Sequence, residues 1–331
     1  MDILVTGGAG FIGSHLCDRL LQIGHRVICV DNFLTGSRFN LEEAEKFKKR
    51  FILIKGDVNN YILLEGIFKR YPIDIVFHLA AVVGVKRTEE NPFLVLEDIN
   101  GIKNILELSS KYRVKRFVYT SSSEVYGRSF NLPSCEDGQI NPSITYAAVK
   151  LIGEKFCKAY YEKHHLKTCC LRLFNIYGPR QVHSSYGFVA AIFIKRALEN
   201  FDIEIFGDGK QARDFTYIED FLNCAQIILS HKFWEGGVIN IGTGVETSIN
   251  SLAKTIIRLT KSKSKIRHLP LRTNEISSRC ADINRMRKVL KYKPMYNISS
   301  GIEQTVSWHR LSGCKLYRVG GKAKRTKKYS Y

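Results

Sequence analysis

The chain has 331 residues, of which 44% are hydrophobic and 25% are charged, and its formal net charge at pH 7 is +20. These proportions are ordinary for a globular protein and argue against a disordered or fibrous one. No apolar run approaches the ~20 residues that span a bilayer, and no basic leader with a cleavage site precedes the first apolar run. The nine cysteines form no Cys-x-x-Cys pair. We therefore expect a reduced, cytoplasmic protein without a structural metal.

The positive charge is partly concentrated at the C-terminal end, where no acidic residue follows Glu303. Gly320, Gly321 and the Lys/Arg-rich run after them show no apolar periodicity, so residues 311–331 are predicted to form a basic, mobile tail. Such a tail could contact nucleic acid or a membrane surface. A solvated tail is the simpler interpretation, and we expect neither a membrane nor a nucleic acid as partner.

The first 175 residues alternate short apolar runs with helical patterns. Strands are predicted near residues 2–6, 26–31, 51–55, 74–78, 115–120 and 167–173, and helices near 11–23, 59–70, 93–112 and 144–164. This alternation predicts an α/β fold with a Rossmann-type, doubly wound parallel sheet.

The pattern loosens after Asn175. Helices are predicted near residues 187–200, 218–231, 248–261 and 282–291, with short strands near 203–205 and 238–240. We expect a smaller, mixed α/β substrate-binding cap, mainly over residues 176–310, with some segments returning to the sheet of domain 1–175. Ligands of open α/β sheets bind at the edge on which such a cap would sit.

A glycine-rich turn follows the first predicted strand and opens the first helix. Gly7 allows the sharp turn, Gly10 leaves room for a pyrophosphate, and Gly13 lets the helix approach the sheet. The helix then points free N–H groups at the phosphates. Asp31 ends the second strand, where a carboxylate can accept hydrogen bonds from both ribose hydroxyls. The first domain is therefore predicted to bind NAD rather than NADP.

Tyr146 and Lys150 are four residues apart at the start of a predicted helix, which places both on one face. A neighbouring ammonium and the positive nicotinamide ring would favour the tyrosine phenolate, which is otherwise rare at neutral pH. The fifth strand ends in the hydroxyl-rich run Ser121, Ser122 and Ser123, followed by Glu124. Taken alone, the Tyr-x-x-x-Lys spacing is weak and the serine run could be ordinary turn chemistry. Their positions at the ligand edge of the sheet favour a catalytic role.

These residues belong to a longer collinear series over about residues 1–309. It comprises residues 6–13 (TGGAGFIG), 56–58 (GDV), 77–81 (FHLAA), 121–127 (SSSEVYG), the Tyr146–Lys150 pair, 172–181 (RLFNIYGPRQ), 207–209 (GDG), 213–217 (RDFTY) and Asp220. The series resembles the NAD-dependent epimerase/dehydratase family of extended short-chain dehydrogenases/reductases, and within it the UDP-glucose 4-epimerase-like members.

The resemblance implies a role for each matching position. The cofactor residues it implies are Gly7, Gly10, Phe11, Ile12, Gly13, Asp31, Asn32, Asp57, Val58, Leu79, Ala80, Ala81, Asn100, Tyr146 and Lys150. Tyr146 would be the base, Lys150 would hold the nicotinamide ribose, and Ser122 would bind the sugar oxygen. The substrate residues it implies are Ser122, Ser123, Asn175, Arg213 and Arg272, the arginines because guanidinium forks grip phosphate oxygens in pairs.

The resemblance also implies the first chemical step. Tyr146 would take the proton of a sugar hydroxyl, usually O4, while hydride moves to tightly held NAD⁺. The 4-keto sugar could then be reduced on its other face, lose water after base removal of H5, or lose a C5 carboxylate. A 4-epimerase, a dehydratase and a UDP-glucuronate decarboxylase therefore all remain open, and an oxidoreductase that releases NADH is a further alternative.

Glu124 is the residue that bears most on this choice. It matches the base of the dehydratases, but Ser123 stands where those acting on deoxythymidine-diphosphate sugars carry an acid. GDP-mannose dehydratases and UDP-glucuronate decarboxylases commonly read Thr-Ser-Glu here, which differs from Ser122-Ser123-Glu124 by one methyl group. The loop Val82–Arg87 is closer to the epimerase type, so an epimerase is favoured. A non-catalytic NAD-binding protein with an interacting basic tail is the alternative of another class. The family's usual pairing through two long helices, here near 93–112 and 144–164, implies a homodimer.

Overall fold

The computed structural model describes residues 1–83, 88, 90–128, 131–181, 188–231, 234–271 and 276–319. Its strands are β1 (Asp2–Thr6), β2 (Arg26–Asp31), β3 (Phe51–Lys55), β4 (Ile75–His78), β5 (Arg116–Ser122), β6 (Thr168–Leu173), β7 (Ile176–Tyr177), β8 (Ile203–Phe206), β9 (Ala212–Asp214), β10 (Thr216–Tyr217), β11 (Glu235–Ile241), β12 (Glu246–Ser248), β13 (Ile266–Leu269) and β14 (Ser278–Arg279).

The α-helices of the described ranges are α1 (Phe11–Gln22), α2 (Glu42–Glu45), α3 (Tyr61–Arg70), α4 (Glu97–Lys111), α5 (Thr145–His164), α6 (Val189–Leu198), α7 (Ile218–Ser230), α8 (Ile249–Thr260), α9 (Asn284–Val289) and α10 (Ile298–Val319). Short 3₁₀ helices occupy Arg38–Leu41, Pro92–Leu96 and Ser123–Tyr126.

Seven strands form one parallel sheet in the order β11-β6-β5-β4-β1-β2-β3. Every neighbouring pair runs parallel, so each connection crosses one face of the sheet. The order reverses between β1 and β4, which opens a crevice at their carboxyl ends. The predicted doubly wound parallel sheet is thereby confirmed.

The sheet is buried on both faces because its strands are apolar throughout. Ile3 and Val5 pack into one hydrophobic cluster, whereas Leu4 between them packs into the cluster on the opposite face. Ile28 and Val30 of β2 join Leu4 on that second face. Alternation of side chains along a strand produces this division, and helices cover both layers.

The remaining strands form three small sheets, β10-β7, β12-β9-β14 and β13-β8. Together with α6, α8 and α9 they give the mixed α/β character expected of the cap, and β11 returns to the main sheet beside β6. The division into domains at residue 175 stays a prediction.

The last helix differs from the sequence expectation. α10 continues to Val319 and so includes residues 311–319, which were assigned to the tail. Residues 320–331, the rest of that tail, lie outside the described ranges. Among the described residues, no helix combines the length and apolar character needed to cross a membrane.

Candidate active site

A cleft with a volume of about 610 Å³ lies at the carboxyl edge of the sheet. Its walls come from the segments that follow β1, β2, β3, β4 and β5, and from the start of α5. It therefore lies at the crevice that the reversal of strand order opens.

The glycine turn forms the floor of the cleft and depends on missing side chains. Gly7 has φ +70°, and a Cβ there would lie 2.7 Å from the backbone nitrogen of Ala80. A Cβ on Gly13 would lie 2.2 Å from the carbonyl oxygen of Gly7. α1 begins directly after Gly10 and has no acidic residue in its first turn. The turn therefore offers backbone N–H groups at a helix N-terminus to an anionic ligand.

Asp31 closes this turn from the end of β2. One carboxylate oxygen accepts a hydrogen bond of 2.8 Å from the Ala9 N–H, and the other accepts one of 2.8 Å from the Phe33 N–H. Burial raises the pKa of Asp31, although these backbone donors act in the opposite direction. The carboxylate is thus fixed beside the glycines, in the cleft wall.

Tyr146, Lys150 and Ser122 meet at the other end of the cleft. Ser122, at the end of β5, and Tyr146, at the start of α5, line this end of the cleft together. The Lys150 ammonium donates to the carbonyl oxygen of Thr120 at 2.8 Å and lies 5.7 Å from the centre of the Tyr146 ring. The predicted tyrosine, lysine and serine therefore share one site.

Burial dominates the pKa values of this group. It raises the pKa of the Tyr146 phenol, while Ser122 acts to lower it. Burial lowers the pKa of Lys150 to about 8, against the attraction of Asp98 and Glu154. A cation near the phenol, such as the Lys150 ammonium, acts against burial and favours the phenolate.

Glu124 also lines the cleft, and its carboxylate forms an ion pair with Arg279 of β14. The Arg279 side chain is 3% exposed. Its Nε and Nη2 atoms have no hydrogen-bond partner in the described part of the chain. The pair joins the end of β5 to the cap.

A network of hydrogen bonds between buried side chains holds the carboxyl end of β5 in place. Arg172 of β6 grips both carboxylate oxygens of Glu154, at 2.8 and 2.7 Å, and also donates to the Tyr126 hydroxyl at 2.9 Å. The Ser121 hydroxyl donates to Glu154 at 2.6 Å. The hydroxyl of Tyr126 then donates to Asn240 of β11 at 2.7 Å. These bonds fix the residues on both sides of Ser122.

Most of the residues predicted for the site line this one cleft. They are Gly7, Gly10, Phe11, Ile12, Gly13, Asp31, Asn32, Asp57, Val58, Leu79, Ala80, Ala81, Ser122, Ser123, Glu124, Tyr146, Lys150 and Asn175. Their common location supports the predicted roles, which stay predictions.

Three predicted residues stand apart. Asn100 is exposed on α4 and does not line the cleft; Asp98, about 200° around the helix, does. Arg213 lies on β9, outside the cleft lining, and donates to the carbonyl oxygens of Ala212 and Ile276 at 2.8 Å each. Arg272 lies outside the described residues, as do residues 84–87 of the loop that favoured an epimerase.

Sequence reasoning missed two charged residues of the site, Asp98 and Arg279. Placing residues 98 and 100 in the correct helical register would have pointed to Asp98, because it lies one turn before the buried Ile102. No local pattern marks Arg279, because its contact with Glu124 joins residues 155 positions apart.

Comparison with known proteins gives one consistent result. The model of the NAD dependent epimerase/dehydratase family matches residues 3–242. A UDP-N-acetyl-alpha-D-glucosaminuronate decarboxylase of Bacillus cytotoxicus is 35% identical over 320 residues, covering 93% of this chain and 97% of that protein. A UDP-glucose 4-epimerase of Mycolicibacterium smegmatis is 35% identical over 312 residues, covering 94% of this chain and 99% of that protein.

The fold agrees with that of a solved relative. The structure of UDP-glucuronic acid 4-epimerase from Bacillus cereus, in complex with UDP-glucuronic acid and NAD, matches with a TM-score of 0.86 and 33% identity. The match covers 94% of this chain and 99% of the other.

Proposed function

Because the chain belongs to the NAD-dependent epimerase/dehydratase family, we propose that it is a nucleotide-sugar 4-epimerase that acts on UDP-sugars through a 4-keto intermediate. The observation that carries the proposal is that Ser122, Tyr146 and Lys150 line the same cleft as the glycine turn, with the Lys150 ammonium 5.7 Å from the centre of the Tyr146 ring. Relatives that act on UDP-sugars support the substrate class.

The cleft fits NAD, the cofactor of this family. Side chains at Gly7 or Gly13 would collide with backbone atoms, so this turn stays open to a pyrophosphate. Asp31 presents a carboxylate at the end of β2, where a ribose diol would lie. Lys150 and Tyr146 would hold the nicotinamide end. Bound NAD supplies a hydride acceptor that can later return the hydride.

The chain's own residues supply the proton chemistry. The Tyr146 hydroxyl would receive the proton of the sugar C4 hydroxyl, and Ser122 would hold that sugar oxygen in reach. The Lys150 ammonium favours the phenolate, since it lies 5.7 Å from the phenol ring. After the sugar has turned over, Tyr146 would return the proton to the oxygen at the inverted centre.

The Glu124–Arg279 pair favours an epimerase over a dehydratase. A dehydratase requires Glu124 as a base that removes H5. Here the carboxylate is already held by the guanidinium of the buried Arg279, so it would have to leave this ion pair to reach a sugar proton. An epimerase does not require Glu124 to transfer a proton.

A second candidate, a decarboxylase of sugars with a C5 carboxylate, rests on the same arginine. Nε and Nη2 of Arg279 are buried without an acceptor in the described part of the chain, and a guanidinium can grip a second carboxylate with two such groups. The Bacillus cytotoxicus relative acts on a sugar of that class by its name.

One experiment separates the two candidates. The full-length protein with NAD is incubated in turn with UDP-glucose, UDP-N-acetylglucosamine, UDP-glucuronate and GDP-mannose, and products are followed by proton NMR. An epimerase yields the sugar with an inverted 4-hydroxyl, whereas a pentose and carbon dioxide from the uronate identify a decarboxylase. A 4-keto-6-deoxy product, or no product from any UDP-sugar, would contradict the proposal.

We also propose that the protein is a cytoplasmic homodimer. Phe93, Leu96 and Phe156, on and beside α4 and α5, are 80%, 49% and 39% exposed. Exposed apolar side chains on neighbouring long helices suit pairing with a second copy. Sedimentation equilibrium tests this, and a Phe93→Asp/Phe156→Asp variant should sediment as a monomer if the pairing is correct.

A further inference from the structure

Asp98 of α4 is hydrogen-bonded to the segment that follows β4. Its two carboxylate oxygens accept hydrogen bonds of 2.9 and 3.2 Å from the Val82 N–H. Val82 lines the cleft together with Leu79, Ala80 and Ala81 of the same segment. Asp98 therefore holds this part of the wall in place.

Asp98 lines the cleft together with the other titratable groups of this site. These are Lys150 and Tyr146 on α5, Asp57 in the segment after β3, and Glu97 on its own helix. Lys150 is the cation among them. Burial raises the pKa of Asp98 to about 6, while Lys150 acts to lower it.

Glu154 is the second carboxylate that raises the pKa of Lys150. Both carboxylate oxygens of Glu154 already accept hydrogen bonds from the buried guanidinium of Arg172. Asp98 acts on Lys150 more strongly than Glu154 does, and from the cofactor side of the cleft. The negative charge of Asp98 is thus the main interaction that opposes the lowering of the Lys150 pKa by burial.

We propose that Asp98 is a positioning residue that keeps Lys150 protonated and so sets the pH range over which the protein holds NAD and ionises Tyr146. Its charge favours the protonated forms of both Lys150 and Tyr146. Loss of that charge therefore moves the deprotonation of both groups to lower pH. The part that concerns Tyr146 rests on the proposed epimerase function, whereas the part that concerns NAD does not.

Asp98→Asn separates charge from geometry, because the amide oxygen can still accept from Val82. Asp98→Ser removes the charge with a smaller side chain, and Asp98→Glu keeps the charge. Glu107→Gln is the matched control: it removes one negative charge from the same helix at a residue that does not line the cleft, and the glutamine oxygen can still accept from the Tyr61 hydroxyl.

The first readout is the pH dependence of NADH binding, measured by the fluorescence of the bound cofactor. The pH above which NADH binding is lost should fall by about one unit in Asp98→Asn and Asp98→Ser. This is the low end of the pKa shift that a nearby opposite charge causes. The pH limit should stay at the wild-type value in Glu107→Gln and Asp98→Glu. Coinciding limits in wild type and Asp98→Asn would overturn the proposal.

The second readout is the pH profile of turnover with the best UDP-sugar. Both limbs of the profile should move to lower pH in Asp98→Asn, which a merely structural defect would not cause. A binding limit that shifts in a protein without turnover of any nucleotide sugar would refute the proposed function and leave the role of Asp98 intact. Turnover with unshifted limbs would refute the role of Asp98 alone.

Discussion

Replacement of Glu154 by glutamine should destabilise the protein severely. Glu154 and Arg172 are 4% and 2% exposed and are joined by two hydrogen bonds of 2.8 and 2.7 Å. The substitution keeps the shape of the side chain but leaves the guanidinium charge buried without a counter-charge. Breaking one partner of such a pair costs about 3–5 kcal/mol of unfolding free energy.

Urea denaturation followed by circular dichroism measures this loss. Glu162→Gln on the same helix is the control, because the Lys158–Glu162 pair is 3.8 Å apart with side chains 62% and 54% exposed. That variant should lose less than about 0.5 kcal/mol. The double variant Glu154→Leu/Arg172→Met should be more stable than Glu154→Gln, because it buries no unpaired charge. A loss in Glu154→Gln no larger than that in Glu162→Gln would refute the reasoning.

Further substitutions test the cofactor turn and the catalytic group. Gly13→Ala should weaken NAD binding tenfold or more, a loss of at least about 1.4 kcal/mol, since its Cβ would lie 2.2 Å from the Gly7 oxygen; calorimetric titration measures this. Gly66→Ala, with nothing within 4 Å of the new Cβ, should instead add about 0.5–1 kcal/mol of stability on urea unfolding. The pKa of Lys150 is about 8 in the folded protein against 10.5 for a free lysine. Because the unfolded chain then holds more protons between these values, stability relative to Lys150→Met should rise from pH 7 to pH 10 in urea titrations, and a fall would contradict the assigned direction. Glu124→Gln should leave most epimerase turnover in the NMR assay, whereas near-complete loss would indicate a dehydratase or decarboxylase.

The core of the first domain could be predicted because its signals are local. β1 and β2 were predicted with the bounds that the structure has, since each is a continuous apolar run ended by a glycine turn or by Asp31. The start of α5 was predicted to within one residue. Burial on both faces of a parallel sheet produces such runs, so their sequence is distinctive.

The cap was predicted less well because its strands are set by contacts distant in sequence. β9 has three residues and pairs with β12 and β14, which follow more than thirty residues later. No period-2 pattern can be read from segments this short. The Glu124–Arg279 pair depends on β14 and was therefore also out of reach.

A two-residue error in helix register explains the misplaced Asn100. The resemblance pointed to the correct helix, but a helix turns by about 100° per residue. Residue 100 is exposed, while residue 98 faces the cleft. A side chain's position on a helix therefore needs its buried neighbours, here Ile102 and Ile105, and not the helix alone.

The central claim is that a hydride leaves the sugar's C4 and returns to the same carbon within one protein molecule. The most direct test uses a UDP-hexose that carries deuterium at C4, incubated with the NAD-loaded protein and analysed by NMR. We predict the inverted sugar with its deuterium kept at C4, and no product from Tyr146→Phe. Loss of the deuterium to solvent or to a pool of free NADH, or full turnover in Tyr146→Phe, would contradict the account.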